Sequence, residues 1–151
     1  MKADLVPEPA QRSRVVPLLN ALNADLTQAQ FGVLETMPWA KKRPKISKKM
    51  GRAYQDKDDR AAEKVTRTLL TELFPNGPLF IGNVALVAIF FRPTHQPIDG
   101  DNMFKHLADA GEGIFWANDR QCTGHAVLVE CDPNHPCTVL GVAPHISSMR
   151  R

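Results

Sequence analysis

The stretch GNVALVAIFF, residues 82–91, carries apolar side chains at odd and even positions alike. Successive side chains of an extended chain point to opposite faces, so this stretch has no polar face to give to water and is expected as a central strand covered on both sides. Upstream, DDRAAEKVTRTLLTELF (residues 58–74) places Ala62, Val65, Leu69 and Leu73 at steps of three and four, the period of one helical stripe. Acidic residues crowd its first turn, where the helix dipole favours them, and Pro75-Asn76-Gly77-Pro78 stops it. Before it, FGVLETM (31–37) reads as a strand halted at Pro38. Beyond the central strand, a second short helix over 102–110 and two strands, 125–130 and 138–143, complete the pattern. The order is β-α-β-α-β-β, which predicts an α+β single domain: a mixed sheet with two main helices packed on it.

Length and composition agree with one domain. A chain of 151 residues, 43% hydrophobic, buries one moderate core and leaves no room for a second. Residues 1–30, punctuated by Pro7, Pro9 and Pro17, are expected as an arm or a weak helix, the only helical candidate being LLNALNADLTQAQ (18–30). Residues 146–151 are a tail. There is no run of about 18 apolar residues, and MKADLVPEPAQRSR lacks the apolar stretch of a secretory signal, so a soluble cytoplasmic protein is expected. Three cysteines, Cys122, Cys131 and Cys137, do not suit a disulfide framework.

The net charge of +3 is unevenly spread. KKRPKISKKMGR (41–52) carries Lys41, Lys42, Arg43, Lys45, Lys48, Lys49 and Arg52 with no acid, and the rest of the chain is net acidic. Such a run attracts a polyanion through counterion release, in a salt-sensitive and sequence-blind way. A merely solvated basic segment is the alternative. Pro44 and Gly51 argue against helix, so an extended or hairpin-like excursion is expected.

The chemistry concentrates in DGDNMFKHLADAGEGIFWANDRQ, residues 99–121. If the chain is extended at its start, Asp99 and Asp101 point the same way, and two like charges aimed at one place call for a cation. Oxygen ligands alone suit Mg²⁺ or Mn²⁺. Asp101 and Asn102 both cap helices well, so the chain is expected to turn helical there, with Lys105 in the first turn, near the same mouth. Lys105 can neutralise charge on a phosphate, or simply pair with Asp109 at i+4. After the Gly111-Glu112-Gly113 turn, Trp116 is expected to pack the returning chain on the core, and a reversal there could carry Asp119 back to the other two acids. Asp-Gly-Asp-Asn is equally the composition of an ordinary polar turn with a cap.

Together, Asp99-Gly100-Asp101-Asn102-Met103-Phe104-Lys105, Asp109 and Asp119-Arg120-Gln121 resemble the RusA family of Holliday junction resolvases, many of them phage- or prophage-encoded. KKRPK, Tyr54 with Lys57, and the strand ending in Phe91-Arg92-Pro93 share in the likeness, which spans about residues 33 to 143 and frames 31–145 as a RusA-like nuclease domain. The resemblance implies a homodimeric, Mg²⁺-dependent endonuclease nicking two opposed strands of a four-way DNA junction. Mn²⁺ is a possible substitute ion. It implies metal binding by Asp99, Asp101 and Asp119, an essential Lys105, and DNA backbone contacts from Lys41, Lys42, Arg43, Lys45, Lys48, Lys49, Arg52 and Lys57. The family often has two adjacent acids where this chain has Asn118-Asp119.

Other readings compete. Cys122, His125, Cys131, His135 and Cys137 contain enough ligands for a structural zinc, although Asp132-Pro133-Asn134-His135-Pro136 reads as a plain hairpin loop. His95 and His106 stand near the acids and are expected as partly exposed polar residues. Trp39 and Tyr54 bracket the basic run and could stack on unpaired bases, although core packing is the commoner fate of a tryptophan. A non-catalytic DNA-binding protein that uses its acids only as a helix cap is the alternative function.

Overall fold

The computed structural model describes residues 2–4, 9–42, 45–46, 51, 53–54 and 56–149, with side-chain detail for 14–42, 51 and 56–149. Its elements are β1 (Lys2–Asp4), α1 (Pro9–Ala21), β2 (Gln30–Glu35), β3 (Lys45–Ile46), β4 (Ala53–Tyr54), α2 (Lys57–Leu73), β5 (Val84–Arg92), α3 (Gly100–Ala110), β6 (Cys122–Cys131) and β7 (Cys137–Pro144). Single 3₁₀ turns stand at Leu26–Gln28 and Asp119–Gln121.

β5 lies inside the sheet, with a neighbour on each side, as its two-sided apolar pattern demands. It pairs parallel with β6 and antiparallel with β7 in a sheet ordered β1-β2-β7-β5-β6. Its side chains alternate between two cores. Val84, Leu86, Ala88 and Phe90 meet Leu69, Leu70 and Leu73 of α2 and Met103 and Leu107 of α3, whereas Ala85, Val87 and Ile89 meet Val15 and Leu19 of α1. Each fully buried Leu, Ile or Phe contributes about 1.5–3 kcal/mol, so the α2–α3 face, with the larger residues, is the stronger half.

α2 starts where Asp56 caps it, its carboxylate accepting from Asp58 N at 2.8 Å and Asp59 N at 3.4 Å. It lies against α3, and the two share a buried polar contact, Thr66 Oγ1 to His106 Nε2 at 2.8 Å. After α3 the chain reverses tightly. A Cβ on Gly111 would lie 2.3 Å from the Phe115 ring, and Gly113 adopts a left-handed φ of 84°. Phe115 and Trp116 then fill the core with no exposed surface, which is the packing expected of Trp116.

Two expectations need correction. The amino-terminal helix covers Pro9–Ala21, not 18–30, so a third main helix packs on the sheet, on the face opposite α2 and α3. LLNALNADLTQAQ is broken in its middle by Asn23, whose φ of 57° ends the helix and whose side chain donates to Ile146 O at 2.7 Å. Asp25 then caps the separate 3₁₀ turn through Thr27 N. Second, α3 begins at Gly100, two residues early, with Asp99 as its cap. The basic run forms a short ribbon, Lys45 opposite Tyr54 and Ile46 opposite Ala53, in keeping with a hairpin-like excursion. Arg43, Lys48, Lys49 and Arg52 lie outside the described residues.

Candidate metal and nucleic-acid site

Asp99 and Asp101 do not share an extended segment. Asp99 is the extended cap residue (φ −82°, ψ 108°), and its Oδ1 accepts from Asp101 N at 2.9 Å. Asp101 stands in the first helical turn, where the helix dipole favours a carboxylate. Both side chains are exposed. Gly100 between them lies close on β6, since a Cβ there would meet Val129 at 3.3 Å and Val127 at 3.4 Å. The acid pair is therefore seated against the far part of β6.

α3 then runs back toward the start of β6. Phe104 stacks on His125, with ring centroids 4.4 Å apart and planes at 19°. Lys105 is exposed and makes no hydrogen bond or ion pair among the described residues. Its expected i+4 partner, Asp109, pairs instead with Lys41 Nζ.

Asp119 opens the 3₁₀ turn that leads into β6. Gly100, between the other two acids, lies against Val127 and Val129 farther along that strand. Among the described residues no three acid, His or Cys side chains stand close enough to hold one ion. The donor chemistry suits a hard dication at Asp99 and Asp101, two exposed carboxylates at one helix start, and among the described residues Asp119 does not complete a three-ligand group with them. The turn that carries Asp119 is held from elsewhere. Gln121, buried, donates through Nε2 to Phe80 O at 3.0 Å and Gly82 O at 2.9 Å, and accepts through Oε1 from Ala117 N at 3.0 Å and Asn118 N at 3.2 Å. Asn118-x-x-Gln121 is a capping box, a signal legible in sequence that a metal-centred reading passes over.

The basic residues divide. Lys41 is anchored on α3: its N–H donates to Asn102 O at 3.1 Å and its ammonium to Asp109. This roots the basic segment beside the acid pair. Lys42 lies 3.5 Å from both Asp56 and Asp58, and Lys57 is exposed at the start of α2. Trp39 is half-buried and anchored: its Nε1 donates to buried Asp59 at 2.8 Å, and Lys42 Nζ stands 5.9 Å from its ring centroid.

His106 is buried rather than partly exposed, and burial holds its pKa down at about 4 against the pull of Asp59 and Asp109. It is a neutral packing residue. His95 is exposed in an open cleft of about 550 Å³, lined also by Arg92, Gln96, Ile98, Val129 and Glu130, just ahead of Asp99. The zinc set does not assemble among the described residues. His125 stacks on Phe104, His135 contacts Glu35, and burial raises the Cys122 and Cys137 thiols to about 11 and about 12, away from the thiolate a metal needs. No described helix is long and apolar enough to cross a membrane.

No curated protein matches the chain. Residues 35–136 of the 151, which run from the end of β2 to the approach to β7 and include both acid sites, match the family model described as Endodeoxyribonuclease RusA. The chain belongs to the RusA endodeoxyribonuclease family.

Proposed function

We propose that the protein is a homodimeric nuclease that resolves four-way (Holliday) junctions by Mg²⁺-dependent hydrolysis of two opposed phosphodiesters, Mn²⁺ serving as a substitute ion. Family membership supplies the coarser part, an endodeoxyribonuclease acting on branched DNA. The observation that carries the finer part is the start of α3. There Asp99 and Asp101 face solvent, Lys105 is exposed one turn on, and the root of the basic segment is bonded to Asn102.

In this reading Asp99, Asp101 and Asp119 hold the metal, which when bound supplies Lewis acidity and a water of lowered pKa. Asp99 keeps α3 capped with one oxygen and has its second oxygen for a ligand. Lys105 offsets charge on the attacked phosphate. Lys41, Lys42, Arg43, Lys45, Lys48, Lys49, Arg52 and Lys57 grip the backbone, fixing position without reading sequence. Two chains about a two-fold axis present two such sites to the two opposed strands.

The test is cleavage of a labelled synthetic four-way junction against linear duplex of the same sequence, with Mg²⁺ or chelator, by wild type and Asp101→Asn. Paired nicks in the junction alone, requiring Mg²⁺ and lost in the variant while binding survives, are expected. One observation favours a non-catalytic DNA-binding protein: no three-acid group forms among the described residues. Junction binding without any cut, indifferent to Asp101→Asn, would establish that reading and sink the nuclease.

A further inference from the structure

Asp119 is exposed, and its side chain makes no hydrogen bond or ion pair among the described residues. A carboxylate meant to take a ligand has to be held by something other than its own contacts. Here that something is Gln121. Its amide has two N–H donors and two acceptor sites, and all four are used: the donors on the carbonyls of Phe80 and Gly82, the acceptors on the amides of Ala117 and Asn118. The carbonyls it reaches lie 41 and 39 residues away in sequence. On one side of the strap is the turn entering Asp119, tightened further by Asn118 Oδ1 accepting from Arg120 N at 2.9 Å. On the other is the loop before β5, itself pinned to the core by Leu79 N donating to Ile114 O at 2.8 Å.

We infer that Gln121 is the positioning residue of the Asp119 carboxylate: it straps the turn that carries Asp119 to the Phe80–Gly82 loop and so fixes where that carboxylate stands. The inference rests on the proposed metal role of Asp119. Only a neutral amide serves. A glutamate of the same shape keeps the acceptors for Ala117 and Asn118 but turns a charge on the carbonyls of Phe80 and Gly82, while a methionine of similar length makes none of the four bonds.

The experiment compares wild type, Gln121→Glu, Gln121→Met and Asp119→Asn. Urea unfolding sets the folded fraction. Hydrogen exchange reads the strap directly at the amides of Ala117 and Asn118, and single-turnover cleavage of the junction at saturating protein, per folded molecule, reads its consequence. In Gln121→Met the two amides lose protection. In Gln121→Glu they keep it, junction affinity stays within about twofold, and the rate falls about 10- to 100-fold, the range in which supporting groups of metal sites act. A purely structural role would show as a lower folded fraction in urea and leave the rate per folded molecule, at unchanged junction affinity, as in wild type.

Wild-type cleavage by Gln121→Glu beside an inactive Asp119→Asn would overturn the positioning role and leave the nuclease reading standing. Wild-type cleavage by Asp119→Asn would overturn both. If Gln121→Glu does not fold, unchanged protection and an unchanged rate in Gln121→Met would overturn the inference alone.

Discussion

Asp99 and Asp101 at the start of α3 and Asp119 at the approach to β6 are placed by different means. The first two are set by their immediate neighbours: Asp99 caps the helix whose first turn contains Asp101, and one 2.9 Å bond links them. Asp119 is set by a buried amide two residues on that reaches the far side of the β5 approach. A local arrangement survives changes elsewhere in the fold. A strapped one inherits the stability of everything it is strapped to, and the two arrangements should therefore respond differently to the same insult.

The largest effect should come from the acids themselves. Asp101→Asn and Asp119→Asn are each expected to cut junction cleavage by more than about 100-fold, beyond the range that outer-shell partners of a metal site command, with binding retained. If Asp119→Asn loses far less, the two arrangements are not parts of one site. Acid should act next, and on both arrangements at once, because His106 sits in the middle of α3 against Thr66. Burial lowers its pKa to about 4 from an ordinary 6.5, so the unfolded chain takes up a proton first as pH falls. Its contribution is complete above pH 6.5, is lost between 6.5 and 4 and changes no further below that, for a total of about 3 kcal/mol. Urea midpoints at pH 7 and pH 4.5 measure it, and His106→Gln should flatten the difference.

Gly111→Ala separates the two arrangements without touching an acid. The added methyl meets the Phe115 ring at 2.3 Å, at the reversal that leads to Asp119. Overpacking of this kind costs about 1–3 kcal/mol and should loosen exchange protection at Ala117 and Asn118 before it loosens the start of α3. Smaller still, Asp99→Ala should lose about 1 kcal/mol of stability along with activity, as removed caps do, whereas Asp99→Asn loses the activity and keeps the cap. Equal stabilities would mean that Asp99 is no working cap. Least of all, Lys41→Met should change stability by under about 1 kcal/mol, the usual worth of a half-exposed ion pair with Asp109, and that change should shrink in high salt.

What can be read from the chain divides along the same line. α2 and β5 follow from periodicity alone, because one apolar stripe and one two-sided apolar run each admit a single reading. The start of α3 is harder: Asp99, Asp101 and Asn102 can all cap, and the choice falls to the earliest because Gly100, having no side chain, lets the helix begin hard against Val127 and Val129. α1 escapes a periodicity reading because its contacts, Val15 and Leu19, flank Pro17, and its stop is a left-handed Asn23 held by the distant Ile146. Where Asp119 stands relative to Asp99 and Asp101 depends on tertiary placement, and no spacing in a sequence encodes that.

The position of β5 between β6 and β7 has a consequence for how the protein is made. β6 and β7 follow one another in sequence, yet each pairs with β5 and not with the other. As the chain leaves the ribosome, its most apolar strand emerges complete at Arg92 and has neither hydrogen-bonding neighbour until Cys122–Cys131 and then Cys137–Pro144 are added. At ordinary synthesis speeds that interval is roughly 3 to 10 seconds. During it GNVALVAIFF is the segment of the nascent chain that a chaperone would hold, and the segment through which two unfinished chains would stick together.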